Sequence, residues 1–128
     1  MRLALISPAA VTLIDAARCW RRASDLGEPR QPALVSAFRN SAETLLVPVI
    51  DGLLTLFEAA FRRRFEAGAP ADDEMTSDEE RLLELLAVGD AATPAGVCPS
   101  LVGALGAAVR STRIMMRSVL PRSPEAAE

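Results

Sequence analysis

Between Glu43 and Glu58 the chain reads TLLVPVIDGLLTLF, fourteen residues with a single charge at Asp51. That much apolar surface has to leave water, either into a bilayer or into a protein core. A membrane span needs roughly 20 apolar residues to cross about 30 Å. As a helix, this run covers only about 20 Å. Its polar residues are also in register: Thr44, Asp51, Thr55, Glu58 and Arg62 fall within an arc of roughly 60° at the helical period. The rest of the circumference is Leu, Val, Ile, Phe and Ala. The pattern predicts the central helix of a bundle, with one narrow wet stripe and no membrane span. Pro48, at the edge of the stripe, predicts a kink that bends the helix around the core. Asp51 and Glu58 are expected at the surface. Glu58 and Arg62, at i and i+4, are expected to pair for about 0.3–0.5 kcal/mol.

A chain of 128 residues is near the commonest size for one domain. Half of its residues are hydrophobic, enough for a core without metal or disulfide staples. Ala, Leu and Val dominate, and the aromatics are Trp20, Phe38, Phe57, Phe61 and Phe65, a mix that favours helices over strands. The expected fold is all-α: an antiparallel bundle of four main helices over residues 1–120, followed by a flexible C-terminal tail at 121–128.

Local signals place the helices. Ser7 caps the first and Pro8 opens it; Gly27 suits its stop. Leu13, Ala16, Ala17, Trp20 and Ala23 share its apolar side, with Trp20 as core anchor, while Asp15, Arg18, Arg22 and Asp25 share the wet side. A long, kinked second helix is expected from Pro32 to about Ala67, with Gly68 as its stop. Asn40 and Glu43 could form an internal cap, splitting it into 33–39 and 41–67 and making five helices. Thr76 or Ser77 caps the third helix, with Glu79 or Glu80 at the capping-box position and Gly89 at its end. Pro99 or Ser100 opens the fourth, which lasts to about Leu120. The opening MRLALISPAAVTLIDA has one Arg before an apolar run, but Pro8 interrupts it and no clear cleavage site follows. A cytoplasmic protein is expected.

The absent residue types limit the chemistry. His, Lys and Tyr do not occur, so all 14 cationic side chains are Arg. Without His, neither a Ser–His–Asp nor a Cys–His arrangement can be built from this chain, nor can the Glu-x-x-His pattern of di-iron bundles. No Gly-rich phosphate loop, zinc spacing or nucleophile elbow is present. No enzyme activity, catalytic residue, metal or cofactor is expected. The net charge of −3 argues against general nucleic-acid binding.

Two constellations remain. On the fourth helix Gly103, Gly106, Arg110, Arg113 and Arg117 fall within about 80° of one another. The plain account is a solvated face with cations near a helix C-terminus. The functional account is a docking face for an anion, an acidic partner segment or a nucleic-acid backbone. The acidic stretch Asp72 to Asp78 could itself cover Arg113 and Arg117. The second constellation is Cys98, at the entry to that helix, where a thiol is acidified and becomes a candidate reactive thiolate. Up-down topology brings Cys19 to the same end of the bundle. Met115 and Met116 can serve as adaptable docking surface, though such residues are more often core filler.

MTSDEERLLELL, residues 75 to 86, resembles a segment of small uncharacterised all-helical proteins of high-GC alphaproteobacteria. Those proteins often carry cysteines just before it, where this chain has PADDE. The resemblance implies an all-helical fold and no activity. The expected function is that of a small non-catalytic interaction or regulatory module binding a protein partner, itself included. The alternative is a small-ligand or redox-responsive protein using the Arg face or Cys98.

Overall fold

A computed structural model describes residues 2–38, 41–88 and 96–120. Among the described residues five α-helices follow in chain order: α1 (Pro8–Leu26), α2 (Arg30–Val35), α3 (Leu46–Phe61), α4 (Ser77–Val88) and α5 (Val102–Val119). Short 3-10 turns at Leu3–Leu5, Glu43–Leu45 and Pro99–Leu101 lead into α1, α3 and α5. The fold is all-α, with no strand among the described residues and one isolated antiparallel bridge between Arg2 and Glu74. The tail at 121–128, the Asn40 cap and the Gly89 stop lie outside the described residues.

α1 begins and ends on local chemistry. Ser7 Oγ accepts from the Ala10 N–H at 3.2 Å, Pro8 occupies the first turn, and Gly27 closes the helix at φ 69°. α4 starts with a reciprocal capping box. The Glu79 N–H donates to Thr76 Oγ1 at 3.1 Å, and the Thr76 N–H donates back to Glu79 Oε1 at 2.9 Å.

The second expected helix is split, as in the five-helix alternative, rather than continuous and kinked, although both pieces are shorter than 33–39 and 41–67. α2 is only six residues long, and α3 starts afresh at Leu46 after the 3-10 turn. α3 also stops at Phe61, well before Gly68, because Arg62 turns left-handed at φ 58°. Gly68 has a different role. A Cβ there would lie 2.8 Å from Arg18 Nη2 and 3.1 Å from Arg18 Cζ. Its place against a buried guanidinium has room only for hydrogen.

α3 is the central helix and packs most extensively against α5; α2 packs across α1. Trp20, Leu34, Leu46, Ile50, Leu53 and Phe57 are sealed in the core, joined by Leu82 from α4 and Val109 from α5. Phe57 lies against Phe61 with the rings tilted, centroids 4.5 Å apart, and meets Phe65 edge-on at 5.2 Å, so the segment after α3 folds back over its end. The stretch Glu43–Phe61 is long and apolar enough, by length and composition, to cross a membrane. In this fold its Leu46, Val47, Ile50, Leu53, Leu54, Phe57 and Ala60 are buried within the protein.

Candidate functional site

Three arginine–carboxylate joints position the surfaces of interest, and the expected surface pattern put two of them in water. Arg18, assigned to the wet side of α1, is only 2 % exposed. Its Nε and Nη2 donate to the Glu79 carboxylate at 2.8 and 3.0 Å; Nη1 donates to the Asp72 carbonyl at 2.6 Å and Nη2 to that of Glu74 at 3.0 Å. These hydrogen bonds, led by Glu79, raise the guanidinium's already high pKa and keep it charged despite burial. Glu79, fully buried, also accepts the Gly68 N–H at 2.9 Å.

Asp51 and Glu58 are likewise not free surface acids. Asp51 accepts from Trp20 Nε1 at 2.8 Å and from Gln31 Nε2 at 3.1 Å. Glu58 accepts from Arg21 Nη1 at 3.0 Å and from the Phe65 N–H at 2.8 Å. Glu58 therefore pairs across to α1 and not with Arg62. The third joint is Asp78, held by both terminal nitrogens of Arg63 at 2.5 Å each and by the Glu66 N–H at 2.8 Å.

Because the polar stripe of α3 turns toward α1, another part of that helix meets solvent. Leu45, Pro48, Gly52, Thr55 and Ala59 are the exposed residues along it. Their spacing of three, four, three and four makes one strip, rotated from the stripe expected to be wet, and it carries no charge. Sequence periodicity missed this face because it assigned the outside to the charged residues.

The arginine face of α5 is present. Gly103, Arg110 and Arg117 are exposed, and Gly106 and Arg113 half-exposed. Beside this row lie Ala104, Ala107, Ser111 and Ser118, all exposed, with Ile114 62 % exposed among them. No acid occurs between residues 102 and 119. The acidic stretch leaves Arg117 exposed, where it was expected to cover Arg113 and Arg117. Three of its acids have other partners: Asp73 lies 3.7 Å from Arg2, Asp72 Oδ1 accepts from the Glu74 N–H, and Asp78 is taken by Arg63. The cause is Arg18, which draws the backbone of this segment inward onto α1.

Cys98 sits where α3 ends and the entry to α5 begins. Its N–H donates to the Ala60 carbonyl at 2.7 Å, its sulfur is 3.3 Å from Ser100 Oγ, and Arg62 Nη2 donates to it at 3.3 Å. The left-handed turn at Arg62 points the guanidinium back at the thiol. The Ser100 hydrogen bond first, then the Arg62 guanidinium, pull the thiol down to about 7. Cys19 has a different neighbour, Ser36 Oγ at 4.0 Å, and both thiols are free. Cys98 is half-buried, and the Ser100 and Arg62 donors favour its thiolate form, the nucleophilic one.

No protein-family model, curated protein or solved structure matches the chain.

The remaining acid–base clusters are structural. A recess of about 390 Å³ is lined by Arg21, Arg30, Arg64, Glu28 and Glu58, whose charges largely oppose one another. Among the described residues no three His, Cys, Asp or Glu side chains are grouped to hold a metal ion.

Proposed function

We propose that this chain is a small non-catalytic helical interaction module that binds a protein partner along α5, within the cytoplasm. One observation carries this reading: an exposed Ile114, set among small side chains, lies beside a row of arginines on a helix without a single acid. An amphipathic partner helix with acids along one flank matches that layout, since an apolar anchor fills the middle and charges meet at the rim. The test is a pull-down from a cell lysate at low salt, using the native chain, an Arg113→Glu/Arg117→Glu variant and an Ile114→Glu variant. The expected result is an acidic protein retained by the native chain and lost by both variants. Identical retention by all three contradicts the reading.

A second reading is favoured by the Cys98 environment: a thiol-based, redox-responsive role for the junction between α3 and α5. Alkylation rate against pH tests it. A midpoint near 7 supports an activated thiolate. A midpoint in the ordinary cysteine range, about 8.5, contradicts it.

A further inference from the structure

The arginine face of α5 has its complement on this same chain, along the outer side of α4. There Ser77, Glu80, Arg81, Glu84 and Ala87 are exposed. Arg81 is turned aside, its guanidinium 5.0 Å from the centroid of the Phe61 ring. That leaves Glu80 and Glu84 one turn apart, with Ala87 and the half-buried Leu83 along their flank. On α5, Arg113 and Arg117 are one turn apart in the same way, with the exposed Ile114 along their flank. Among the described residues neither Arg117 nor Glu84 has an ion pair within the chain. We infer, resting on the reading of α5 as a docking face, that its partner is a second copy of this chain, whose α4 lies along it with Glu84 opposite Arg117 and Glu80 opposite Arg113.

Charge and register select this occupant. The two faces are opposite in sign and equal in spacing, so both pairs form at once. An α5-on-α5 pair would instead set arginines against arginines. Going round each helix in the same sense, the arginines come before Ile114 on α5, whereas Leu83 comes before the glutamates on α4. Facing helices therefore match charge to charge and apolar to apolar when they run in the same direction. α4 and α5 pack against each other within the chain, so a two-fold axis makes the exchange reciprocal. α4 of each copy then lies on α5 of the other, and the assembly closes at two. The Arg–Glu pairs stand in water, where each contributes little. The dimer is therefore weak, sensitive to salt and in exchange with monomer.

Sedimentation velocity of the full chain in low salt, from about 10 µM to about 1 mM, reads the equilibrium directly. The native chain is expected to shift from monomer toward dimer across that range, and about 0.5 M sodium chloride to weaken the shift. Glu84→Arg and Arg117→Glu are each expected to weaken self-association by about tenfold or more, because each sets like charges together at two equivalent places. Mixed in equal amounts, the two variants are expected to associate with each other nearly as well as the native chain does with itself, since every facing pair is again opposite in charge. Recovery on mixing separates lost docking from lost folding. A native chain that stays monomeric throughout, or a dimer indifferent to either substitution, overturns the inference. So do variants with native circular dichroism that fail to recover on mixing. The α5 reading fails separately. If the native chain is monomeric, yet Glu84→Arg still retains an acidic lysate protein that Arg113→Glu/Arg117→Glu loses, the docking face stands and only its occupant is wrong.

Discussion

The guanidinium of Arg18 and the carboxylate of Glu79, 61 residues apart in sequence, meet side by side at 2.8 and 3.0 Å, both shut away from water. The same carboxylate caps α4 and accepts the Gly68 N–H, so one acid ties α1, the segment after α3 and the start of α4. Removing one partner leaves the other charge buried without a counter-ion. Arg18→Leu is expected to cost about 3–5 kcal/mol, read from urea denaturation. Arg22→Leu, one turn away on the exposed side, is expected to stay within about 0.5 kcal/mol.

Gly68 offers a sharper test of the same joint. Its missing side chain makes room for the Arg18 guanidinium, which four hydrogen bonds hold in place. Gly68→Ala is expected to destabilise by about 1–3 kcal/mol, although alanine is normally the more stable choice in an unstrained backbone. A neutral or stabilising result in chemical denaturation would show that Arg18 can step aside.

Acid should unfold the protein through Asp78. Burial alone would raise its carboxyl, but the Arg63 guanidinium and the Glu66 N–H outweigh burial and hold it below its ordinary value of 3.8. A carboxylate depressed in the folded state contributes stability that is present above the unfolded pKa and lost as pH falls through the folded one. Stability should therefore drop as pH falls below about 4, and Asp78→Asn should flatten that limb. Asp15 has the opposite sign. Burial raises its carboxyl, so its charged form is a small burden that acid relieves. Urea midpoints from acidic to neutral pH check both.

Arg62 is strained and useful at once. It is the described non-glycine residue at positive φ, and its guanidinium reaches the Cys98 sulfur. Arg62→Gly is expected to relieve up to about 1 kcal/mol of left-handed strain. It should also raise the Cys98 thiol above its value of about 7, though not the whole way, because Ser100 still donates to it. Ultraviolet titration of the thiolate measures the shift. An unchanged thiol would mean that Arg62 has no hold on it.

What the sequence made legible was local. Ser7, Pro8 and Gly27 bound α1 within a residue, and Thr76 and Glu79 announce the start of α4, because caps are set by neighbours three or four positions away. The arginine row of α5 was visible for the same reason, whereas the surroundings of Cys98 include Arg62, 36 positions away. What stayed hidden depends on distant partners. Helical period assigns Arg18, Asp51 and Glu58 to water because they are charged, yet each finds its counterpart on another helix. Once those charges turn inward, the outer side of α3 has to be the uncharged one. The end of α3 was also misplaced: Arg62 adopts a conformation that glycine usually supplies, so Gly68 drew the boundary too far. The one hint available was Gly68 itself, too far from the helix end to be its cap.

Carboxylates drawn into the fold, with Asp78 and Glu79 buried and Glu58 half-buried, hold the segment between α3 and α4 in place of regular secondary structure. Four amides along it donate to these acids: Phe65 to Glu58, Glu66 to Asp78, and Gly68 and Thr76 to Glu79. Amide hydrogen exchange resolved at these four positions reads out that restraint. The expected result is protection close to that of the α3 core, collapsing together at Gly68 and Thr76 in Glu79→Gln. Exchange at the rate of an open loop in the native chain would contradict it.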